Sequence, residues 1–143
     1  MPASTFTLFD QFGSELGLEG HQLETDTLSI YLTNSAVDQA ADTTSAAHTI
    51  ISSNGGEAKS IAGTQTYTET AAGSGIWRLA LTADQTWTAT GAGFTFRYIV
   101  VSNSTAADKL IGYWDYGSAQ AVAAGETVTL DLDANFAIFT LTV

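Results

Sequence analysis

Apolar and polar residues alternate with period two through most of this chain, the pattern of strands that bury one face. The clearest case is Thr27-Leu28-Ser29-Ile30-Tyr31-Leu32-Thr33, where Leu28, Ile30 and Leu32 share a face. Trp77, Leu79 and Leu81 form one apolar face later in the chain, and Val128, Leu130 and Leu132 form another, opposite Thr129, Asp131 and Asp133. Phe94, Phe96, Tyr98 and Val100 alternate with Thr95, Arg97, Ile99 and Val101. Both faces of that stretch turn apolar towards its end, which predicts a central strand. Further strands are predicted at 48–52, around Trp87, at 109–116 and at 136–143. Residues 65–70, polar on both faces apart from Tyr67, predict an edge strand. One segment breaks the period. Phe9, Phe12 and Leu16 recur at helical spacing beside Asp10 and Glu15, and Gly17 and Gly20 stop the turn, so a short helix is expected over 8–16.

Small polar residues predict loops at 34–47 and 102–108, and Asn54-Gly55-Gly56 is a strong turn signal. The single proline, at position 2, interrupts no strand. About eight strands with long connections predict an all-β fold, a β-sandwich or jelly roll with one short N-terminal helix. At 143 residues the chain fits one domain. It is read as an N-terminal arm over 1–7 and a single β-sandwich domain over 8–143. The arm has no charged side chain and includes Phe6, so it is expected to order against a neighbouring molecule, by strand addition or apolar docking. Thr5, Phe6 and Thr7 are its candidate contact residues.

Charge removes whole classes of function. Fifteen acidic residues stand against four basic ones, Lys59, Arg78, Arg97 and Lys109, for a formal charge of −11. Nucleic-acid binding needs a basic surface that releases counterions, and four scattered cations form none. An anionic membrane surface repels the chain for the same reason. The opening residues have no basic stretch, so no secretory signal is expected, and no apolar run is long enough to span a membrane. With no cysteine, a disulfide framework and a Cys-ligated metal site are excluded.

Candidate chemistry is sparse. The two histidines, His21 and His48, have no metal-ligand spacing and are expected to be surface or loop residues. No GxSxG elbow is present, and the glycines at 55, 56, 73, 75, 91, 93 and 117 form no phosphate-binding GxGxxG, so they are read as turn residues. Asp131 and Asp133 share a strand face, and Glu24 and Asp26 bracket a strand entrance; both pairs are expected to be solvated rather than calcium-binding. Asn103-Ser104-Thr105 is formally a glycosylation sequon. No cofactor, metal or catalytic set is expected. Aromatics are the remaining signal. Alternation puts Trp114 and Tyr116 on one face of their strand and Tyr113 on the other, with Trp77 and Trp87 in strands that would neighbour it. Trp77, Phe96 and Trp114 are expected in the core. The same residue types also serve partner interfaces and glycan platforms.

Several stretches taken in order resemble a known family. They are Thr5-Phe6-Thr7-Leu8-Phe9-Asp10-Gln11-Phe12, Glu24-Thr25-Asp26-Thr27-Leu28, Trp87-Thr88-Ala89-Thr90-Gly91-Ala92-Gly93, Phe96-Arg97-Tyr98, Leu110-Ile111-Gly112-Tyr113-Trp114-Asp115-Tyr116-Gly117 and Gly125-Glu126-Thr127. The chain resembles a family of small proteins from the structural gene clusters of tailed bacteriophages, over nearly its whole length and least in 34–75. The resemblance implies a head decoration, or cement, protein on the outer surface of the virion capsid, made in the host bacterial cytoplasm. Its partners would be the major capsid protein and further copies of itself, as a dimer or trimer, with no nucleic acid and no membrane. The second reading is a tail or fibre component touching host glycans, and a small glycan-active enzyme is the third. The family carries no catalytic residues to transfer. Arg97 and Asp115 lie opposite in parity to their aromatic neighbours, and on adjacent strands they would form a cross-strand ion pair of structural value.

Overall fold

A computed structural model of the chain describes residues 5–18, 20–61, 65–81, 83–132 and 137–142. The alternating stretches become strands β1 (Phe6–Leu8), β2 (Leu28–Thr33), β3 (Lys59–Ser60), β4 (Gln65–Glu69), β5 (Ile76–Leu81), β6 (Gln85–Thr88), β7 (Phe94–Asn103), β8 (Lys109–Val122), β9 (Thr127–Leu130) and β10 (Ala137–Thr142). Among the described residues, one helix, α1 (Phe12–Gly17), and one 3-10 turn at Ser45–Ala47 accompany them. The strands assemble in the orders β1-β8-β7-β2-β3, β10-β5-β4 and β6-β9, with antiparallel pairing throughout. This is the all-β single domain that the alternation predicts.

The layering is sandwich-like. Leu28, Ile30, Phe96, Ile99, Ile111 and Trp114 of the five-stranded sheet share one core with Leu79, Leu81, Trp87, Val128 and Phe139 of the smaller sheets. On the other face of the five-stranded sheet, Phe9, Tyr31, Tyr98, Val100 and Leu110 form a second cluster, with Val37 and Ile50 packed against it. That cover explains why β7 is apolar on both faces: it lies between β8 and β2 and is buried from both sides.

Sheet pairing shortens the helix expected over 8–16. Leu8 pairs with Gly112 in β1, and the Phe9 N–H donates to the Ile111 carbonyl at 3.1 Å, so the helix starts only at Phe12. Residues 48–52 do not form a strand. Ile50 makes only an isolated bridge to Thr33. Hydrogen bonds from the Ile51 N–H to the Leu32 carbonyl and from the Thr33 hydroxyl to the Thr49 carbonyl tie the segment to β2 without extending it into a ladder. β7 runs through Ser102 and Asn103, expected in a loop, and both are buried opposite β2. β8 continues past Tyr116 because Gly117, at φ 77°, lets the strand bulge and resume against Phe94 and Phe96. Phe136 and Asp133 lie outside the described residues.

Phe96 is fully buried and Trp114 retains 8% exposure, but Trp77 is only half-buried. It stacks on Tyr67, with ring centroids 5.5 Å apart, where β4 and β5 leave the core. Trp77 and Trp87 do not neighbour β8, since β5 and β6 belong to the other layer.

Candidate functional site

Three of the stretches singled out in the sequence, 5–12, 96–98 and 110–117, meet on and beside β1, β7 and β8, whereas 24–28, 87–93 and 125–127 lie on β2, β6, β9 and the loops beside them. Phe6 stands opposite Trp114 and Thr7 opposite Tyr113. The Phe6 ring lies 4.5 Å from that of Trp114 and stacks on Phe139 at 6.2 Å, with 7° between the planes. The end of the expected arm is therefore part of the domain. Phe6 and Thr7 are half-buried in a strand of their own sheet, Thr5 is exposed just ahead of it, and residues 1–4 lie outside the described residues. Pairing with β8 satisfies one side of the β1 backbone, and burial against Trp114 and Phe139 accounts for the apolar Phe6.

Arg97 and Asp115 come together across β7 and β8. Arg97 donates from Nε to Asp115 Oδ1 at 2.8 Å and from Nη2 to Oδ2 at 2.9 Å, a bidentate pair. Register shifts here: Tyr98 pairs with Asp115 and Phe96 with Gln120, so residues 116–119 bulge from β8 opposite Arg97 alone. The Gly117 N–H donates to Asp115 Oδ1 at 2.7 Å and fixes the base of the bulge, while Tyr116 turns inward, edge-on to Phe96 at 5.3 Å. Hydrogen bonds from Arg97, aided by that from Gly117, hold the Asp115 carboxyl below its ordinary pKa against the opposing effect of partial burial. Both side chains are more than a third exposed, so solvent screens the pair and its main effect is to orient the bulge.

Both histidines are in loops, as expected, but neither is at the surface: His21 is 4% and His48 7% exposed. Tyr31 Oη lies 2.7 Å from His48 Nδ1, and His48 Nε2 lies 3.0 Å from Asp42 Oδ2. With the phenol donating to Nδ1 and Nε2–H donating to Asp42, every group in this chain is satisfied. Burial, reinforced by Asp42 and Asp108, pushes the Tyr31 hydroxyl well above its ordinary pKa, so it stays protonated at neutral pH. A hydroxyl on a side chain only 1% exposed meets no substrate. The relay ties the 34–47 loop to β2. Sequence reasoning missed it because its members carry no motif and meet only when the loop folds over the sheet.

His21 sits beside Asn103, whose Nδ2 lies 3.1 Å from Nδ1, and the same amide donates to Asp26 Oδ2 at 2.6 Å. Asp26, half-buried, also accepts the Gln22 N–H at 2.7 Å and so braces the entrance to β2; Glu24 is exposed. Burial lowers the His21 pKa, opposed by Glu15 and Asp26. The sequon asparagine, fully buried within this network, is closed to modification in the folded protein. Asp131 is exposed just after β9.

Among the described residues no group of three or more His, Cys, Asp or Glu side chains is arranged to hold a metal ion. An open cleft of about 490 Å³ between β8 and β9 is floored by Phe96, Val122 and Val128, with Glu126 as its charged lining residue. No described helix is long and apolar enough to cross a membrane. No family model, curated protein or solved structure matches the chain.

Proposed function

We propose that this chain is a decoration, or cement, subunit of a tailed-phage head, bound to the outer surface of the shell at junctions between major capsid subunits. The observation that carries the reading is where the motif residues fall. Phe6, Leu8, Phe9 and Phe12, the run 110–117 and Phe96-Arg97-Tyr98 lie on and beside three adjacent strands, and their side chains are committed to packing and to one ion pair. Residues used in this way suit a protein that works through shape and contact area, adding interface that opposes the pressure of packaged DNA. Inward-facing rings also favour the head over the tail-fibre reading. Trp114 and Trp87 are buried and Tyr116 packs on Phe96, which leaves the aromatic strand without the open platform a glycan would need.

At −11 per chain, a cluster of two or three copies carries formally −22 or −33, two or three times −11. Neighbouring copies repel, so attachment rests on apolar area and neutral hydrogen bonds. Quantifying the protein in purified particles tests the reading. A copy number comparable with that of the major capsid protein supports it, and a small fraction of that number moves the chain to the tail. Raising sodium chloride on decorated heads should leave the bound amount unchanged or increased, because salt screens the repulsion. Progressive release would show that complementary charge holds the coat.

A further inference from the structure

Among the described residues, each main sheet ends in the same region on a strand paired on one side only. β1 closes the five-stranded sheet, β10 closes the three-stranded sheet, and Phe6 on one stacks against Phe139 on the other. Among the described residues, β10 pairs with β5 alone, and no further backbone hydrogen bond reaches its outer side. Residues 137–142 read Ala-Ile-Phe-Thr-Leu-Thr and contain neither charge nor proline. Edges are normally blocked by charge, proline, a bulge or a cover. The one irregularity, between Ala137 and Phe139, leaves residues 140–142 in regular register.

Charge draws no partner to this neutral edge, so the strand's own pattern selects the occupant. A basic partner would be drawn to the acidic loops of a −11 chain and not to this neutral stretch. A copy of the chain, equally acidic, is repelled by those loops and meets no carboxylate on β10. The strand also complements itself. Thr140 and Thr142 are exposed, while Leu141 packs against the core. A two-fold axis at Leu141 sets Leu141 opposite its counterpart in the second copy, and Thr140 opposite Thr142 of that copy. Threonines already pair across strands in this molecule: Thr86 with Thr129 at 3.3 Å and Thr88 with Thr127 at 3.2 Å between their Oγ1 atoms.

We infer that β10 is a self-association edge through which two copies join antiparallel, forming one continuous sheet in the order β4-β5-β10-β10-β5-β4. The inference concerns the isolated chain and holds whatever surface the assembled protein coats. Repulsion between two −11 chains opposes the union, so screening by salt tightens it.

Sedimentation equilibrium of the full chain at low and high sodium chloride tests this. The wild type should dimerise, more tightly at high salt. Thr140→Glu with Thr142→Glu places like charges directly opposite each other and should weaken the dimer by about tenfold or more. Thr140→Lys with Thr142→Glu places Lys opposite Glu on both sides of the axis and should restore it. Near-UV circular dichroism checks that both double variants fold. A wild type that is monomeric at both salts, a Glu pair that dimerises like wild type, or a folded Lys/Glu pair that stays monomeric would overturn the inference. Should a variant fail to fold, hydrogen exchange of 137–142 in the wild type decides: protection must rise with protein concentration, and concentration-independent exchange would sink the proposal.

Discussion

The two layers end differently at their two sides. At one end stand β3, two residues including Lys59, and β4, a polar strand ending in Glu69. Lys59 lies 5.9 Å from the centre of the buried Trp87 ring, and Glu69 accepts the Gly73 and Gly75 N–H groups at 3.0 and 2.7 Å. At the other end stand β1 and β10, which carry no charge and rest on a run of aromatic rings from Trp114 through Phe6 and Phe139 to Phe12. The first side carries charge, a feature that discourages another strand from pairing with it. The second is neutral and supported by core aromatics, so an incoming strand would find a stiff template and no like charge. An acidic chain can dispense with guards at one edge because its charge elsewhere suppresses indiscriminate association.

If the neutral side is as much a part of the core as its ring contacts indicate, Trp114→Ala should cost about 3–5 kcal/mol, read as a lower denaturant midpoint. An unchanged midpoint would place Trp114 outside the core and dissolve the contrast between the sides. Gly112→Ala tests the docking of β1 on its own sheet. A Cβ there would come within 2.7 Å of the Thr7 carbonyl oxygen, so β1 has to shift, at a cost of about 1–3 kcal/mol. Hydrogen exchange should then accelerate at residues 6–9 and stay slow in β2 and β7. Equal exchange in variant and wild type would mean that β1 contributes little to the fold.

Acid should loosen the neutral side through His21, whose ring lies 5.3 Å from that of Phe12. Its folded pKa is lowered from 6.5, chiefly by burial, so below pH 6.5 the unfolded chain binds the extra proton first. The contribution is present in full above that pH and is lost as pH falls from 6.5 through the folded value. A pH series of denaturant midpoints should show the decline, and His21→Gln should flatten it; identical slopes would exclude His21 as the cause. The smallest effect is expected on the charged side. Lys59→Ala removes a partly exposed cation–π contact and should cost about 0.5–1 kcal/mol. A larger loss in thermal or chemical unfolding would mean that Lys59 helps to close the core over Trp87.

Much of the fold was legible because burial leaves a local record. Leu28, Ile30 and Leu32 alternate because one face of β2 meets the core, and β7 is apolar on both faces because both are covered. The boundaries that went astray lie where a distant strand competes with local preference. Leu8 and Phe9 fall at the start of the expected helix, yet β8 claims their backbone groups. The polar site was the least legible part. Opposite parity made Arg97 and Asp115 candidates for pairing, but nothing near His48 announces Tyr31 and Asp42, and nothing near His21 announces Asn103.

The amino-acid sequence by itself determined the class of this protein: acidic, cysteine-free and built from period-two strands, with every cation countable and no basic surface to form. Those properties are sums over residues or patterns between near neighbours, and they need no long-range contact. Tertiary structure decided which strands became edges, that Phe6 joined the core, and that both histidines were enclosed. Pairing order depends on contacts between residues far apart in sequence, such as Phe6 with Trp114 or His21 with Asn103, whose hydrogen bonds and buried area count only when the whole sandwich closes.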